Sequence, residues 1–367
     1  MVKTLEPAID PNNRIVFLLD WELTMKCNLD CSYCPSGTYG GHDNSTKHPP
    51  LEECLKSIAF MFEYADMHMA KRPQGLRHVV LNIYGGEALH HPHIISILEQ
   101  VHKQHKQFQH SWNLVVTVTT NAIVAAHRLE PIIPLIDEFT CSYHSESTDE
   151  QQQQFQQNVL AIKNAGRRVK CVVLMHSEPA FFKSGTDFIE WCNQHNVTYL
   201  PRQLDHPRDY PEFDYTEKQI VWFNKFYKTK TYNTELKDFK EEPTDIGRAC
   251  CGGRQLCVDQ DYKQRHFFTG NRFPDWYCSV NQFFLYVKQV TGEIFTNKDC
   301  KMNFAGEVGP IGSLDQADIL LTITREQLDS SDPPVIQCKK AQCLCGLCAP
   351  KARTLDDYQT IMKKYQK

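Results

Sequence analysis

An α/β fold, a partial (β/α)6 TIM-like barrel with a small cysteine-rich C-terminal extension, is predicted by three observations on this chain. Six apolar, β-branched runs alternate with stretches of helical composition, which is the signal for successive βα units and a parallel sheet. Chemistry-bearing residues sit at the carboxyl ends of the first three runs, where barrels of this kind carry their function. Beyond Ala249 the alternation stops, and nine cysteines gather among short strand signals and Gly turns, the pattern of a small fold organised around metal.

The expected strands are Ile15 to Leu23, His78 to Tyr84, Leu114 to Thr120, Glu138 to His144, Val169 to His176 and Val197 to Leu204. Between them Leu51 to Lys71 places Leu55, Ile58, Ala59, Phe62 and Ala65 at helical spacing. Pro92 to Gln107, Ala122 to Ile136, Thr148 to Ala165 and Thr186 to Gln194 supply the other helices. Right-handed crossovers curl such units into a barrel. The tract Gln151 to Gln157 reads as the solvated face of the fourth helix. Residues 1–14 form an N-terminal segment, 15–214 the barrel, 215–249 a charged helical connector and 250–367 the extension.

A chain of 367 residues buries a full core, and its net charge of -4 gives no basic footprint for nucleic acid. No apolar stretch is long enough to span a bilayer and no signal peptide precedes the barrel, so no membrane partner and a cytoplasmic location are expected. Sixteen cysteines in a reducing compartment point to metal rather than disulfides. Cys54, Cys141, Cys171 and Cys192 are scattered in apolar runs and read as small core residues.

The remaining thiols are grouped. Cys27-Asn28-Leu29-Asp30-Cys31-Ser32-Tyr33-Cys34 has the Cys-x3-Cys-x2-Cys spacing that offers thiolates to three corners of a [4Fe-4S] cluster and leaves one iron open to a small chelating molecule. Gly85-Gly86-Glu87 ends the second apolar run and Asn121 ends the third. With these landmarks in this order, the chain resembles the radical S-adenosylmethionine (radical SAM) superfamily. The resemblance implies that Cys27, Cys31 and Cys34 hold the cluster and that S-adenosylmethionine chelates its open iron. It implies a reductively formed 5'-deoxyadenosyl radical that abstracts hydrogen from a substrate, with flavodoxin or ferredoxin as electron donor. Gly85 and Gly86 would allow close backbone approach, Glu87 would meet the methionine ammonium, and Tyr33 would pack the adenine. Thr119, Asn121 and Ser142 are candidates for ribose and carboxylate hydrogen bonds. His144, His176, Arg202 and Asp205 lie at or near strand ends without an assigned role, and His90, His91 and His93 read as a solvated loop.

Cys278, Gly292, Cys300 and the Cys345-Gly346-Leu347-Cys348 pair resemble the SPASM and twitch extensions of the same superfamily. Phe283 to Val287 and Gly292 to Phe295 would form the hairpin, and Cys278, Cys300, Cys345 and Cys348 would hold one auxiliary [4Fe-4S] cluster. Cys250, Cys251, Cys257, Cys338 and Cys343 leave a second cluster open, and a structural zinc site is the bland alternative for the same thiols. Such extensions imply modification of a peptide or protein residue. Oxidation or rearrangement of a small molecule such as a sugar, aminocyclitol or nucleoside is the alternative enzyme, and a non-catalytic metal-binding interaction protein the third reading. The short stretch before Ile15 carries the expectation that no leader-peptide-binding domain is attached.

Overall fold

The computed structural model describes residues 4–5, 15–34, 47–204, 215–226, 275–298, 300–330, 335–339 and 349–365. The first half runs β1 (Thr4–Leu5), β2 (Ile15–Thr24), α1 (Leu51–Ala70), β3 (Arg77–Gly85), α2 (Ile94–His105), β4 (Asn113–Thr120), α3 (Ala126–Leu129) and β5 (Glu138–His144). It continues through α4 (Asp149–Asn164), β6 (Arg168–Met175), α5 (Pro179–Gln194), β7 (Thr198–Gln203) and α6 (Glu217–Phe226). The extension adds β8 (Tyr277–Cys278), β9 (Phe284–Lys288), β10 (Glu293–Phe295), β11 (Gly312–Ser313), α7 (Ala317–Asp329), β12 (Ile336–Gln337), β13 (Lys351–Ala352) and α8 (Leu355–Met362).

Strands β2 to β7 pair in parallel, each with its successor. This six-strand core, wrapped by the intervening helices, is the partial TIM-like barrel the alternation predicts. β9 joins the other side of β2 in parallel, and β10 and β11 continue antiparallel. The result is one nine-stranded sheet, ordered β11-β10-β9-β2-β3-β4-β5-β6-β7, which stays open. A second sheet, β1-β13-β8-β12, is antiparallel throughout. The extension hairpin is thus a continuation of the barrel sheet.

Strand period explains the two faces of β2. Phe17, Leu19, Trp21 and Leu23 are fully buried on one face, and each such burial stabilises by about 1.5–3 kcal/mol. Asp20 and Glu22 occupy the alternate face, in register with Asn82 and Tyr84 of β3 and with Tyr286 and Lys288 of β9. α1 covers the apolar face, burying Ile58, Met61, Phe62, Ala65 and Met69 at helical spacing. A capping box between Thr148 and Gln151 starts α4.

Two helix expectations need correction. Ala122 to Ile136 is not one helix: α3 has four residues and a 3-10 turn follows at Ile133–Leu135. Pro131 and Pro134 lack amide hydrogens and clash with a preceding turn, so the helix cannot continue through them. α5 begins earlier than Thr186, because Pro179 occupies its first turn, where a missing N–H costs nothing. Of the connector, residues 215–226 fall within the described residues, and Glu217–Phe226 is helical.

The barrel and the extension meet behind α1. Arg72, 2% exposed, donates to Tyr365 O at 3.1 Å and Gln282 O at 3.3 Å, and its guanidinium lies 4.6 Å from the centre of the Phe283 ring. His68 is buried beside the Phe17 and Tyr64 rings, with no hydrogen-bond partner for either nitrogen among the described residues. Burial drives its pKa down to about 3, so it is neutral in the fold.

Candidate cluster and cofactor site

The three N-terminal cysteines share one irregular loop that leaves β2 at its carboxyl end, and all are partly exposed. The Cys34 N–H donates to Cys31 O at 3.0 Å and closes a tight turn. Leu29 N–H and the Asn121 amide approach Cys27 Sγ at 3.4 and 3.7 Å, donors that favour a thiolate. Burial acts the other way, lifting Cys27 to about 11 and Cys31 to about 12, with Glu87 and Glu146 adding to the effect on each respectively. The Cys27 and Cys31 thiols are therefore protonated without metal, and a bound metal centre would displace those protons.

In donor chemistry the loop fits an iron-sulfur cluster, since soft sulfurs with N–H donors around them are what such a cluster takes. The sulfurs are electrostatic neighbours rather than a converged set. Among the described residues no three Cys, His, Asp or Glu side chains gather at metal-binding distance. Cys31 Sγ lies instead 3.2 Å from His144 Nδ1.

The Gly-Gly-Glu segment braces this loop from below. Gly86 N–H donates to Thr24 O and Glu87 N–H to Lys26 O, both at 2.7 Å. A Cβ on Gly85 would stand 2.0 Å from Thr24 O, and one on Gly86 would stand 2.3 Å from Lys26 O. Gly85 also has φ +148. The glycines thus permit close backbone approach, and the partner they approach is the start of the cluster loop. Glu87 is 1% exposed, and its carboxylate receives Thr120 Oγ1 at 2.7 Å, Asn121 N–H at 2.6 Å and Leu89 N–H at 3.0 Å. Burial raises its pKa while these donors oppose the rise. In this geometry Glu87 ties the end of β3 to the end of β4.

Asn121 fixes the first half of the loop, donating from Nδ2 to Asn28 Oδ1 at 2.7 Å, and Asn28 in turn donates to Ile123 O at 3.0 Å. Thr119 and Ser142 hold alternate, half-buried positions of β4 and β5. Sequence reasoning passed over Thr120. Strand alternation puts it, rather than Thr119, on the side of Glu87.

The second half of the loop rests on the ends of β5 and β6. Tyr33, 6% exposed, has its hydroxyl 2.8 Å from His144 Nδ1, and the two rings are parallel with centroids 5.9 Å apart. Burial lowers His144 to about 4, which keeps its ring neutral. Ser32 donates its N–H to Glu146 Oε2 at 2.8 Å and its hydroxyl to Glu146 Oε1, and His176 Nε2 lies 3.6 Å from that same Oε1. Arg202 is exposed, and Asp205 lies outside the described residues.

An open cleft of about 290 Å³ adjoins Cys27, lined by Lys26, Cys27, Asn28, His48 and His90. The histidines after Glu87 are not all solvated: His91 is fully buried, its Nε2 is 3.0 Å from Pro49 O, and burial lowers it to about 4.

In the extension Cys278, Cys300 and Cys338 are buried. Cys338 N–H donates to Trp276 O at 2.9 Å, and Ser279 N–H donates to Pro350 O at 3.1 Å. The turn after Cys300 packs on β12, since a Cβ on Gly306 would lie 2.8 Å from Gln337 O. The chain on either side of the Cys343 to Cys348 stretch is therefore anchored next to Cys278. Cys345 and Cys348, like Cys250, Cys251, Cys257 and Cys343, lie outside the described residues. Cys338 directly follows β12, whose Ile336 pairs with Cys278.

No family model and no curated relative matches the sequence. Among solved structures, native anSMEcpe with bound AdoMet is similar over 95% of this chain and 96% of its own, at 12% identity and TM-score 0.50. SuiB of Streptococcus suis is similar over 79% of this chain at 12% identity and TM-score 0.46, and the chain spans 62% of SuiB. BtrN in complex with AdoMet and 2-DOIA is similar over 86% of this chain and 87% of its own, at 12% identity and TM-score 0.36. The chain has the fold of the radical SAM enzymes. Among the described residues no helix is long and apolar enough to cross a membrane.

Proposed function

We propose that this protein is a radical SAM enzyme that cleaves S-adenosylmethionine reductively and abstracts hydrogen from a peptide or protein residue. One observation carries the reading: on a fold of this class, the Cys27–Cys34 loop, the Gly-Gly-Glu brace and Asn121 meet at the carboxyl ends of three adjacent parallel strands. When bound at Cys27, Cys31 and Cys34, a [4Fe-4S] cluster with S-adenosylmethionine supplies one electron to the sulfonium and a 5'-deoxyadenosyl radical to the substrate.

The chain's own residues bind, orient and shield. Gly85, Gly86 and Glu87 hold the loop against β3 and β4, while Tyr33, Thr119, Asn121 and Ser142 border the space offered to the cofactor. Cys278 and Cys300, with Cys345 and Cys348, are proposed to hold an auxiliary cluster. On the face of β2 opposite α1, Glu22 accepts from Tyr286 at 2.7 Å, Asp20 accepts from Asn82 at 2.6 Å, and Lys298 lies 3.9 Å from Asp20. Electrons would come from a flavodoxin or ferredoxin.

Anaerobically reconstituted, reduced protein incubated with S-adenosylmethionine should release 5'-deoxyadenosine, measured by liquid chromatography and mass spectrometry. No release from iron-loaded protein would sink the proposal. Tandem mass spectrometry of candidate peptides tests the substrate class; unchanged peptides beside a changed small metabolite would replace it with the small-molecule reading.

A further inference from the structure

We propose that Glu146 is a positioning residue that locks the Cys31–Cys34 turn in place for metal binding. The inference rests on the cluster reading above. The turn belongs to no strand or helix, and the hydrogen bond that closes it, Cys34 N–H to Cys31 O, is internal. A ligand-bearing turn of that kind needs an outside anchor, because ordering it costs conformational entropy. Glu146 provides one by taking both donors of Ser32, the residue that follows Cys31: the backbone N–H on Oε2 and the hydroxyl on Oε1. Two bonds from one residue to the two oxygens of one carboxylate fix orientation as well as position.

Glu146 is itself held. It follows β5 directly, in the turn closed by Ser147 N–H on His144 O at 3.1 Å, and His176 at the end of β6 lies 3.6 Å from its Oε1. The turn also rests on His144 of the same strand end through the Tyr33 hydroxyl, so two neighbouring residues of the loop dock on one short segment, at His144 and Glu146. Charge offers no reason for an acid at this place, since a carboxylate beside thiols opposes thiolate formation. Geometry does offer one. The lock also separates two halves of the loop by function: Asn121 holds the Cys27 end to β4, and Glu146 holds the Cys31 end to β5.

The test uses the full chain, reconstituted anaerobically with ferrous iron and sulfide, with wild type, Glu146→Ala, Glu146→Gln and Ser32→Ala side by side. The iron that disappears in a Cys27→Ala, Cys31→Ala, Cys34→Ala variant is scored as the iron of this site. Its release to a chelator should be roughly 10- to 100-fold faster in Glu146→Ala, as for other anchors of ligand side chains. Glu146→Gln, which keeps one acceptor for the Ser32 N–H, should fall between Glu146→Ala and wild type, and Ser32→Ala should shift release in the same direction by less. The EPR signal of the reduced site should broaden in step. Wild-type release rates and spectra in both Glu146→Ala and Ser32→Ala overturn the inference while leaving the cluster reading intact. Wild-type protein without scorable iron overturns both. Should Glu146→Ala fail to fold, Ser32→Ala at an exposed position decides alone.

Discussion

The two cysteine regions of this molecule are built in opposite ways. Cys27, Cys31 and Cys34 are partly exposed on a loop held by polar clamps from three strand ends, whereas Cys278, Cys300 and Cys338 are buried within a small antiparallel framework. The first arrangement leaves room beside its sulfurs, including the cleft at Cys27. The second encloses them. A site that must admit a ligand cannot seal its thiols, and a site whose ligands are all protein gains by sealing them.

Replacing Cys27, Cys31 and Cys34 together by Ala is expected to have the largest effect, abolishing 5'-deoxyadenosine formation while metal at the extension survives. Metal analysis showing both pools lost would erase the distinction between the regions. Acid should act on both regions through buried histidines, His91 near the loop and His68 at the seam with the extension. Both are depressed below the ordinary 6.5, to about 4 and about 3. As pH falls below 6.5 the unfolded chain takes up these protons and the fold does not, so stability is lost at about 1.4 kcal/mol per pH unit for each histidine. Urea midpoints at pH 7 and pH 5 should show the drop, and because burial holds His144 at about 4 as well, His68→Phe should remove no more than about a third of it.

Gly86→Ala comes next. Its Cβ would press against the Lys26 carbonyl, a backbone atom that cannot swing away, and the cost should reach about 3 kcal/mol. Thermal unfolding measures it, and a loss confined to the loop should appear as lower iron content with the extension metal retained. Glu87→Gln should be milder, about 2 kcal/mol, because an amide nitrogen then faces either the Asn121 N–H or the Thr120 and Leu89 donors. An unchanged melting temperature for that variant would show that Glu87 is not the brace between β3 and β4.

The barrel was legible because its strands are long, apolar and β-branched, and hydrophobic period needs no partner to be read. The cluster loop was legible because cysteine spacing is a chemical signature. What escaped is what depends on long-range geometry. Nothing local separates Thr119 from Thr120; the face each takes is fixed by pairing with neighbouring strands. The donors to Glu87, the Thr120 hydroxyl and two backbone amides, one of them across the sheet at Asn121, come together only in the fold. Glu146 and Ser32 are 114 positions apart and meet only when the loop folds over the sheet. The helix expected after Ala122 is cut short by Pro131 and Pro134. The tail hairpin was visible, but its parallel docking on β2 was not, because a strand's side chains do not announce which edge it will cover.

That docking has a consequence for biosynthesis. β2 carries the reactive loop at its tip, yet one flank of β2 is covered by a strand translated more than 250 positions later, as the pairing of Leu18 with Phe284 records. A nascent chain emerging from the ribosome therefore offers an apolar, unpaired ribbon until Lys288 has been made, and such a ribbon invites association with other chains. Insertion of iron should follow completion of the polypeptide, and shortened versions that stop after β7 should precipitate rather than persist as miniature barrels.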